Sequence, residues 1–282
     1  MKSYSNLNIN QKKLFWKENP LHGEIDINID GIVNFKMYNE NDDTVVKELY
    51  WTGFKGWEYT SLMLWNDLLK VNNKGIVYDV GAYTGIYSLI AAKISENNKV
   101  FAFDIQENTL ERLKKNCELN KLKNINLVRA ACTNFNGIVD FYFYKEQGII
   151  SSVASLIPKK MNDHKDEVNA IKLDGFHSRT IDKNPVSLVK IDVEDAEQDT
   201  LRGMLDILEH DRPDVLVEIN NIKNLSKVKR LFPRYYNIYD IDENNYSINR
   251  LMWFSKPSEF RNYLFTTKDK KEIKELFSGL VV

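Results

Sequence analysis

The chain has 282 residues, 43% of them hydrophobic, enough to bury one domain's core and support an extension. Lys and Arg total 39 against 40 Asp and Glu, a formal net charge of −1, which argues against a protein that coats a nucleic-acid backbone. The two cysteines, Cys117 and Cys132, form no CxxC pair, which excludes a disulfide scaffold, a thiolate zinc site and a cysteine-ligated iron–sulfur cluster.

The opening MKSYSNLNINQKKLF holds no apolar stretch of the signal-peptide kind. Residues 24–38 read as a β-hairpin, with EIDINI and IVNFKM alternating on either side of Asp30-Gly31. Helices are expected over 44–52 and 58–71, the second with Leu62, Leu64, Trp65, Leu68 and Leu69 along one side. From residue 75 strands and helices alternate. GIVYDV is a strand, 85–95 a helix, KVFAFD a strand, 107–120 a helix, NINLVRAA a strand and 138–144 another. The stretch 145–170 reads as irregular, of a length that suggests a lid or substrate loop. Then come SLVKID (187–192), a helical region at 196–209, DVLVEI (214–219) and a helix at 222–231. The basic run from Lys223 to Arg234 reads as the solvated face of that helix. YYNIYDI, NYLFTT (262–267) and a charged helix close the pattern.

Repeated strand–helix units predict an α/β fold, a doubly wound and mainly parallel seven-stranded sheet covered on both faces. Residues 1–72 are expected to be an N-terminal extension of hairpin and helices packed on a core of 73–282. That extension is a candidate cover for the substrate cleft or a homodimer contact. No segment approaches the roughly 20 apolar residues of a membrane span, so the expectation is a soluble, cytoplasmic protein.

The most informative segment is Tyr78-Asp79-Val80-Gly81-Ala82-Tyr83-Thr84-Gly85, which follows an apolar strand and opens a helix. A doubly wound sheet places its ligand there. Gly81 and Gly85 are read as letting the backbone turn tightly and approach the ligand. The helix N-terminus beyond offers N–H groups to a carboxylate or phosphate. A dinucleotide fingerprint needs glycines at 81, 83 and 86, but Tyr83 and Ile86 stand there, which disfavours a pyrophosphate. S-adenosylmethionine, with a carboxylate and no pyrophosphate, fits better, and Asp79 is a candidate to hold its ammonium. The next strand ends at Asp104, placed to accept hydrogen bonds from both ribose hydroxyls.

With these residues in order, the sequence resembles the FkbM family of S-adenosylmethionine-dependent methyltransferases. The matching stretches are VYDVGAYTGIYSLIAAK (77–93), VFAFD (100–104), NINLVRAACTNFNG (124–137), VKIDVEDAE (189–197) and DVLVEI (214–219), with GFKGWE (53–58) like the family's acidic lead-in. The family usually has Gly where Asp195 sits and Glu-Pro where this chain has Asp104-Ile105. The resemblance implies methyl transfer, in known members often to a hydroxyl of a sugar or natural product. It adds Glu58, the end of the lead-in, to a cofactor set of Asp79, Gly81, Ala82, Tyr83, Thr84, Gly85, Asp104, Ala131 and Asp192. The place of Ala130 and Ala131 at a strand end leaves room for adenine.

An alcohol needs a base, or a metal that lowers its pKa, to attack a methyl group. Asp192 at a central strand end, Glu194 after it and Glu218 at the next strand end are the candidate catalytic carboxylates, with Glu194 the candidate base. No residue is assigned as a metal ligand, though three carboxylates at adjacent strand ends keep Mg²⁺ open as a second cofactor. Lys190 points into the same region or is structural. Ser151 and Ser152 resemble a serine pair of the family and are candidate acceptor contacts, as is Glu197, for which capping the following helix is the blander role. Trp51, Trp57 and Trp253 are candidates for stacking on a sugar or for core packing.

The leading expectation is an O-methyltransferase acting on a sugar hydroxyl of a glycan, nucleotide sugar or glycolipid, with a nucleic-acid or other small-molecule methyltransferase as the alternative. A base-methylating enzyme would carry an Asn/Asp-Pro-Pro-aromatic tetrad where Asp192-Val193-Glu194-Asp195 stands, and the near-neutral charge also opposes it. A nicotinamide oxidoreductase is disfavoured by Tyr83. A non-catalytic binding module of the same fold remains an alternative, because fold does not fix function.

Overall fold

A computed structural model describes residues 4–72, 74–144, 149–151, 154–160, 162–179, 184–252 and 261–277. Helix α1 (Ile9–Glu18) opens with a capping box in which Asn8 and Gln11 exchange two bonds of 3.0 Å. Strands β1 (His22–Ile27) and β2 (Phe35–Glu40) pair antiparallel, from His22 opposite Glu40 to Ile27 opposite Phe35. The expected hairpin is present, but its strands stop short of Asp30-Gly31. That pair sits in a tight turn, closed by Ile32 N donating to Ile29 O, inside a longer connection. Asp43 caps α2 (Thr44–Trp51) by accepting from the N–H groups of Val45 and Val46, and α3 (Tyr59–Val71) follows.

The alternating part then runs β3 (Gly75–Val80), α4 (Ile86–Ile94), β4 (Asn98–Asp104), α5 (Glu107–Leu119), β5 (Ile125–Arg129), β6 (Ala131–Cys132), β7 (Gly137–Phe143) and β8 (His164–Ile171). It continues through α6 (Leu173–Arg179), β9 (Val186–Ile191), α7 (Glu197–Arg202), α8 (Leu205–His210), β10 (Asp214–Glu218) and α9 (Ile222–Lys229). Strands β11 (Asn237–Asp242), β12 (Ser247–Arg250) and β13 (Asn262–Thr266) lead to α10 (Lys270–Leu276). Two local differences from the sequence reading stand out. The stretch read as irregular contains β8, which pairs along the length of β7, and the helical region at 196–209 divides at Gly203 into α7 and α8.

The central sheet has the order β12-β11-β13-β10-β9-β3-β4-β5. The five strands from β10 to β5 are parallel, and β13 runs against both of its neighbours. This is the expected doubly wound α/β sheet, carrying β12 as an extra edge strand. From β3 the chain winds outward through β4 and β5, then returns to β9 and winds the other way. The crevice between the carboxyl ends of β3 and β9 is therefore the topological switch point, where such sheets bind ligands.

Both faces of the sheet are buried, which is why its central strands read as apolar runs. Val77, Ala102, Leu188 and Leu216 face one core with the hairpin, α3 and α4. Ile76, Tyr78, Val80, Phe103, Val189 and Val217 face the other, beneath α6 to α9. The hairpin is also fixed by amide side chains of α5. Asn116 Oδ1 accepts from Tyr38 N at 2.7 Å, and Asn120 accepts from Lys36 N at 2.9 Å and donates to Lys36 O at 2.7 Å. Among the described residues no helix is long and apolar enough to cross a membrane.

Candidate active site

A cavity of about 450 Å³ lies at the carboxyl ends of β3, β4, β9 and β10. Glu58, Asp79, Gly81, Ala82, Tyr83, Thr84, Gly85, Asp104, Ala131, Ser151, Asp192, Glu194 and Glu218 all line it. Glu197 does not, and Ser152 and Trp253 lie outside the described residues. Of the other two tryptophans, Trp57 lines the cavity, whereas Trp51 packs edge-on against Phe15 and Tyr50.

The glycine turn is held by protein contacts. Gly81 has φ +81°, and a Cβ there would lie 1.7 Å from the carbonyl oxygen of Asp192. Gly85, at φ +96°, would put a Cβ 2.0 Å from Leu113 Cδ1. Both glycines line the cavity, and each also makes room for protein atoms. Gly81 clears space for the loop after β9, and Gly85 for α5. Gly81 N and Ala82 N both donate to Phe103 O at 2.9 Å. Asp104 binds the same turn, accepting from Tyr83 N on one oxygen and Gln106 N on the other, each at 2.9 Å. Each oxygen of this carboxylate thus accepts a backbone bond from the turn that it lines. Burial pushes the Asp104 carboxyl up, against the pull of the Gln106 and Tyr83 N–H groups and the Thr109 hydroxyl.

Asp79 is 1% exposed and accepts from Ser88 Oγ at 2.6 Å. Burial raises it to about 6, although Ser88 and Lys190 pull it down. Thr84 contributes to the turn through its carbonyl, which accepts from Asn116 Nδ2 at 2.9 Å. Tyr83 Oη donates to Ile150 O at 3.0 Å and Gln106 Nε2 to Ser151 O at 2.7 Å, which ties residues 150–151 to the cavity. The buried Ser151 Oγ has no hydrogen-bond partner among the described residues.

Three carboxylates meet at the far side of the switch point. Glu58, Asp192 and Glu218 each bring an oxygen within 4.8 Å of the others. Glu58 accepts from Tyr87 Oη at 2.6 Å. Lys190, 1% exposed, lies 3.7 Å from Asp192 Oδ2, donates to Asn262 Oδ1 at 3.1 Å and sits 5.0 Å from the Tyr87 ring centroid. Burial first, then the charges of Asp192 and Glu58, push the Glu218 carboxyl well above its ordinary value. The triad grouped from strand ends thus has Glu58 where the sequence suggested Glu194.

Glu194 lines the cavity, but Lys159 Nζ binds its carboxylate at 2.5 Å and Asn220 Nδ2 at 3.3 Å. Ser155 Oγ adds a bond to its carbonyl at 2.6 Å. Glu197, the first residue of α7, accepts from Asp195 N at 2.8 Å, a bond to the preceding loop and not a helix cap. Burial raises its carboxyl to about 7. Asp195 has φ +83°, the left-handed conformation that explains glycine at this place in the resembling family. Asp195→Gly is therefore expected to stabilise the fold by roughly 0.5–1 kcal/mol, read as a higher urea midpoint. The ion pair that Asp195 makes with Lys159 at 3.5 Å is partly exposed, so its removal offsets little of this gain.

Lys159 and Glu243 are the main site residues that sequence reasoning does not reach. Each acts on partners far along the chain, Lys159 on Glu194 and Glu243 on Thr60 and Ser61, and neither lies in a motif. Tyr87 is the second residue of α4, directly after the glycine turn, but only the fold shows it reaching Glu58.

Residues 79–248 match the family described as the Methyltransferase FkbM domain. No curated protein sequence matches the chain. Among solved structures it is similar to a methyltransferase FkbM from Methylobacillus flagellatus KT, at 14% identity and TM-score 0.44 over 69% of this chain and 44% of that one. It thus spans less than half of that protein's length. An rRNA methylase from Streptococcus thermophilus is similar at 14% identity and TM-score 0.42, over 72% of this chain and 93% of that one. A SAM-dependent methyltransferase from Agrobacterium tumefaciens is similar at 13% identity and TM-score 0.45, over 88% and 72%. The family match spans more than half of the sequence, from the strand end at Asp79 past Asp104, Asp192 and Glu218, and the chain belongs to the FkbM methyltransferase family.

Proposed function

We propose that the cavity binds S-adenosylmethionine and that the protein methylates a hydroxyl group, in a sugar of a glycan, nucleotide sugar or glycolipid. The observation that carries this reading is one cavity shared by Asp104, bound to the glycine turn, and the Glu58–Asp192–Glu218 group.

The wall fits the donor. Asp104 presents its carboxylate to the cavity where the ribose hydroxyls would lie, and Ala130 and Ala131 leave space for a flat base. The start of α4 suits a carboxylate, and Asp79 and Glu58 suit an ammonium. Ser151 Oγ has an unmet hydrogen bond in the same wall. When bound, the donor supplies an electrophilic methyl whose bond to sulfur breaks, the electron pair staying on sulfur, as the acceptor oxygen bonds to carbon.

The residues at the β9 and β10 ends then have to orient the acceptor and take its proton. Glu218 is the base in this reading: it lines the cavity beside Asp192 and Glu58, and burial with these neighbours raises its affinity for a proton. The Glu194 carboxylate is engaged by Lys159 and Asn220, so the role of base passes from it to Glu218. Asp192, in contact with Lys190, orients the acceptor hydroxyl. The buried Lys190 ammonium already brings positive charge to this group, and Mg²⁺ has no part in the reading.

Calorimetric titration with S-adenosylmethionine, S-adenosylhomocysteine and NADH tests it. The first two are expected to bind and NADH to give no heat. At a hundred times its Kd, S-adenosylhomocysteine should stabilise the fold by about 2.7 kcal/mol. Absence of binding by both sulfur ligands ends the proposal. Labelled methyl donor offered with sugar acceptors then tests the acceptor class.

A further inference from the structure

Helix α3 starts at an N-cap residue, Glu58, that does not cap it. The first N–H groups of a helix lack intrahelical partners, and the N-cap side chain commonly accepts from one of them. Glu58 makes no such bond and has φ +43°. Its carboxylate turns instead to Tyr87 Oη, beside Asp192 and Glu218.

The orphan N–H groups are satisfied from the other end of the chain. Glu243, in the turn between β11 and β12, accepts from Thr60 N at 2.7 Å, Ser61 N at 3.2 Å and Ser61 Oγ at 2.5 Å. Its turn is itself braced, with Asp242 accepting from Asn244 N at 3.0 Å, Asn245 N at 2.9 Å and Asn245 Nδ2 at 2.8 Å. Thr60 Oγ1 reaches Asp242 O at 3.3 Å, and the rings of Tyr59 and Tyr246 meet edge-on at 5.4 Å. Both Glu243 oxygens accept from α3, and the residue also lines the cavity.

We infer that Glu243 is a positioning residue that caps α3 in place of Glu58 and thereby frees the Glu58 carboxylate for the cavity. Without it, two helix N–H groups would compete with Tyr87 for Glu58. The inference rests on the methyl-donor reading of the cavity, in which Glu58 touches the donor's amino-acid end.

A double-mutant cycle on S-adenosylhomocysteine affinity tests it, with a urea midpoint taken for every variant. Glu58→Gln and Glu243→Ala are each expected to weaken binding about tenfold, the double variant by no more than about tenfold, and Glu243→Gln, which keeps one acceptor oxygen, to recover most of the affinity. The inference is overturned if Glu243→Ala lowers the midpoint but binds within about twofold of wild type, or if the two losses multiply to about a hundredfold. Unchanged affinity in Glu58→Gln overturns it too, while wild-type binding still upholds the donor reading. If wild type binds no S-adenosylhomocysteine, that reading itself fails. Should Glu243→Ala not fold, Ser61→Ala removes only the hydroxyl bond and enters the same cycle, where non-additive loss supports the inference and additive loss overturns it.

Discussion

Glu218→Gln is expected to lower methyl transfer by about 10²–10⁴-fold while leaving S-adenosylhomocysteine affinity within a few-fold of wild type. The amide keeps the shape and the hydrogen-bonding oxygen of the carboxylate but cannot take a proton. The sign of the accompanying pH effect follows from the group's surroundings. Burial, Asp192 and Glu58 all favour its protonated form, so the base is occupied at low pH and freed as pH rises. Wild-type turnover should therefore climb with pH through the raised Glu218 value, and the variant should lose this limb. Initial rates of labelled-methyl incorporation at a series of pH values provide the check. A variant that keeps both its rate and its alkaline limb would move the base to another group. Asp192→Asn distinguishes orientation from proton transfer, since it is expected to lower the rate without removing the limb.

Gly81→Ala is expected to cost about 4 kcal/mol or more of stability, enough to leave a marginal domain largely unfolded. Two effects add at this position. The left-handed φ disfavours any side chain, and the new Cβ would fall 1.7 Å from the Asp192 carbonyl oxygen, a backbone atom that has no rotamer to change. Gly85→Ala meets instead the end of the Leu113 side chain, which can turn aside, so its loss should be smaller. Urea midpoints of the two variants give the comparison. If the Gly81 variant loses no more than the Gly85 variant, the loop after β9 does not approach the turn as described.

Much of this site is legible in the sequence because its scaffold is local. The apolar runs of β3, β4, β9 and β10 are buried on both faces, so burial writes itself into consecutive residues. The strand–turn–helix around Gly81 and the acid at Asp104 follow from that. Legibility fails where an element's residues are exposed or its partners distant. Strand β8, HKDEVNAI, leaves most of its side chains in solvent and exists through its ladder with β7, so it carries no apolar signature. Helix α1 buries only Trp16, although the spacing of Asn8 and Gln11 does offer a capping signal. Position in a motif makes Glu194 a candidate base but says nothing of the lysine that neutralises it, contributed by the segment between β7 and β8. Asp195 shows the reverse case. Its departure from the family pattern points to unusual backbone, and the φ of +83° is that backbone.

The place of β13 bears on how the protein is made. Residues 262–266 insert between β10 and β11, so those two strands are never direct neighbours in the finished sheet. A nascent chain that has emerged only as far as β12 presents each with an open row of backbone groups, joined to nothing until β13 arrives. The β11–β12 pair with the Glu243 turn therefore joins the sheet late, after synthesis has passed residue 266, whereas β3, β4, β5, β9 and β10 can associate as they emerge. Slow translation or early release near residue 250 should yield a sticky, partly folded species that depends on chaperones more than its length suggests.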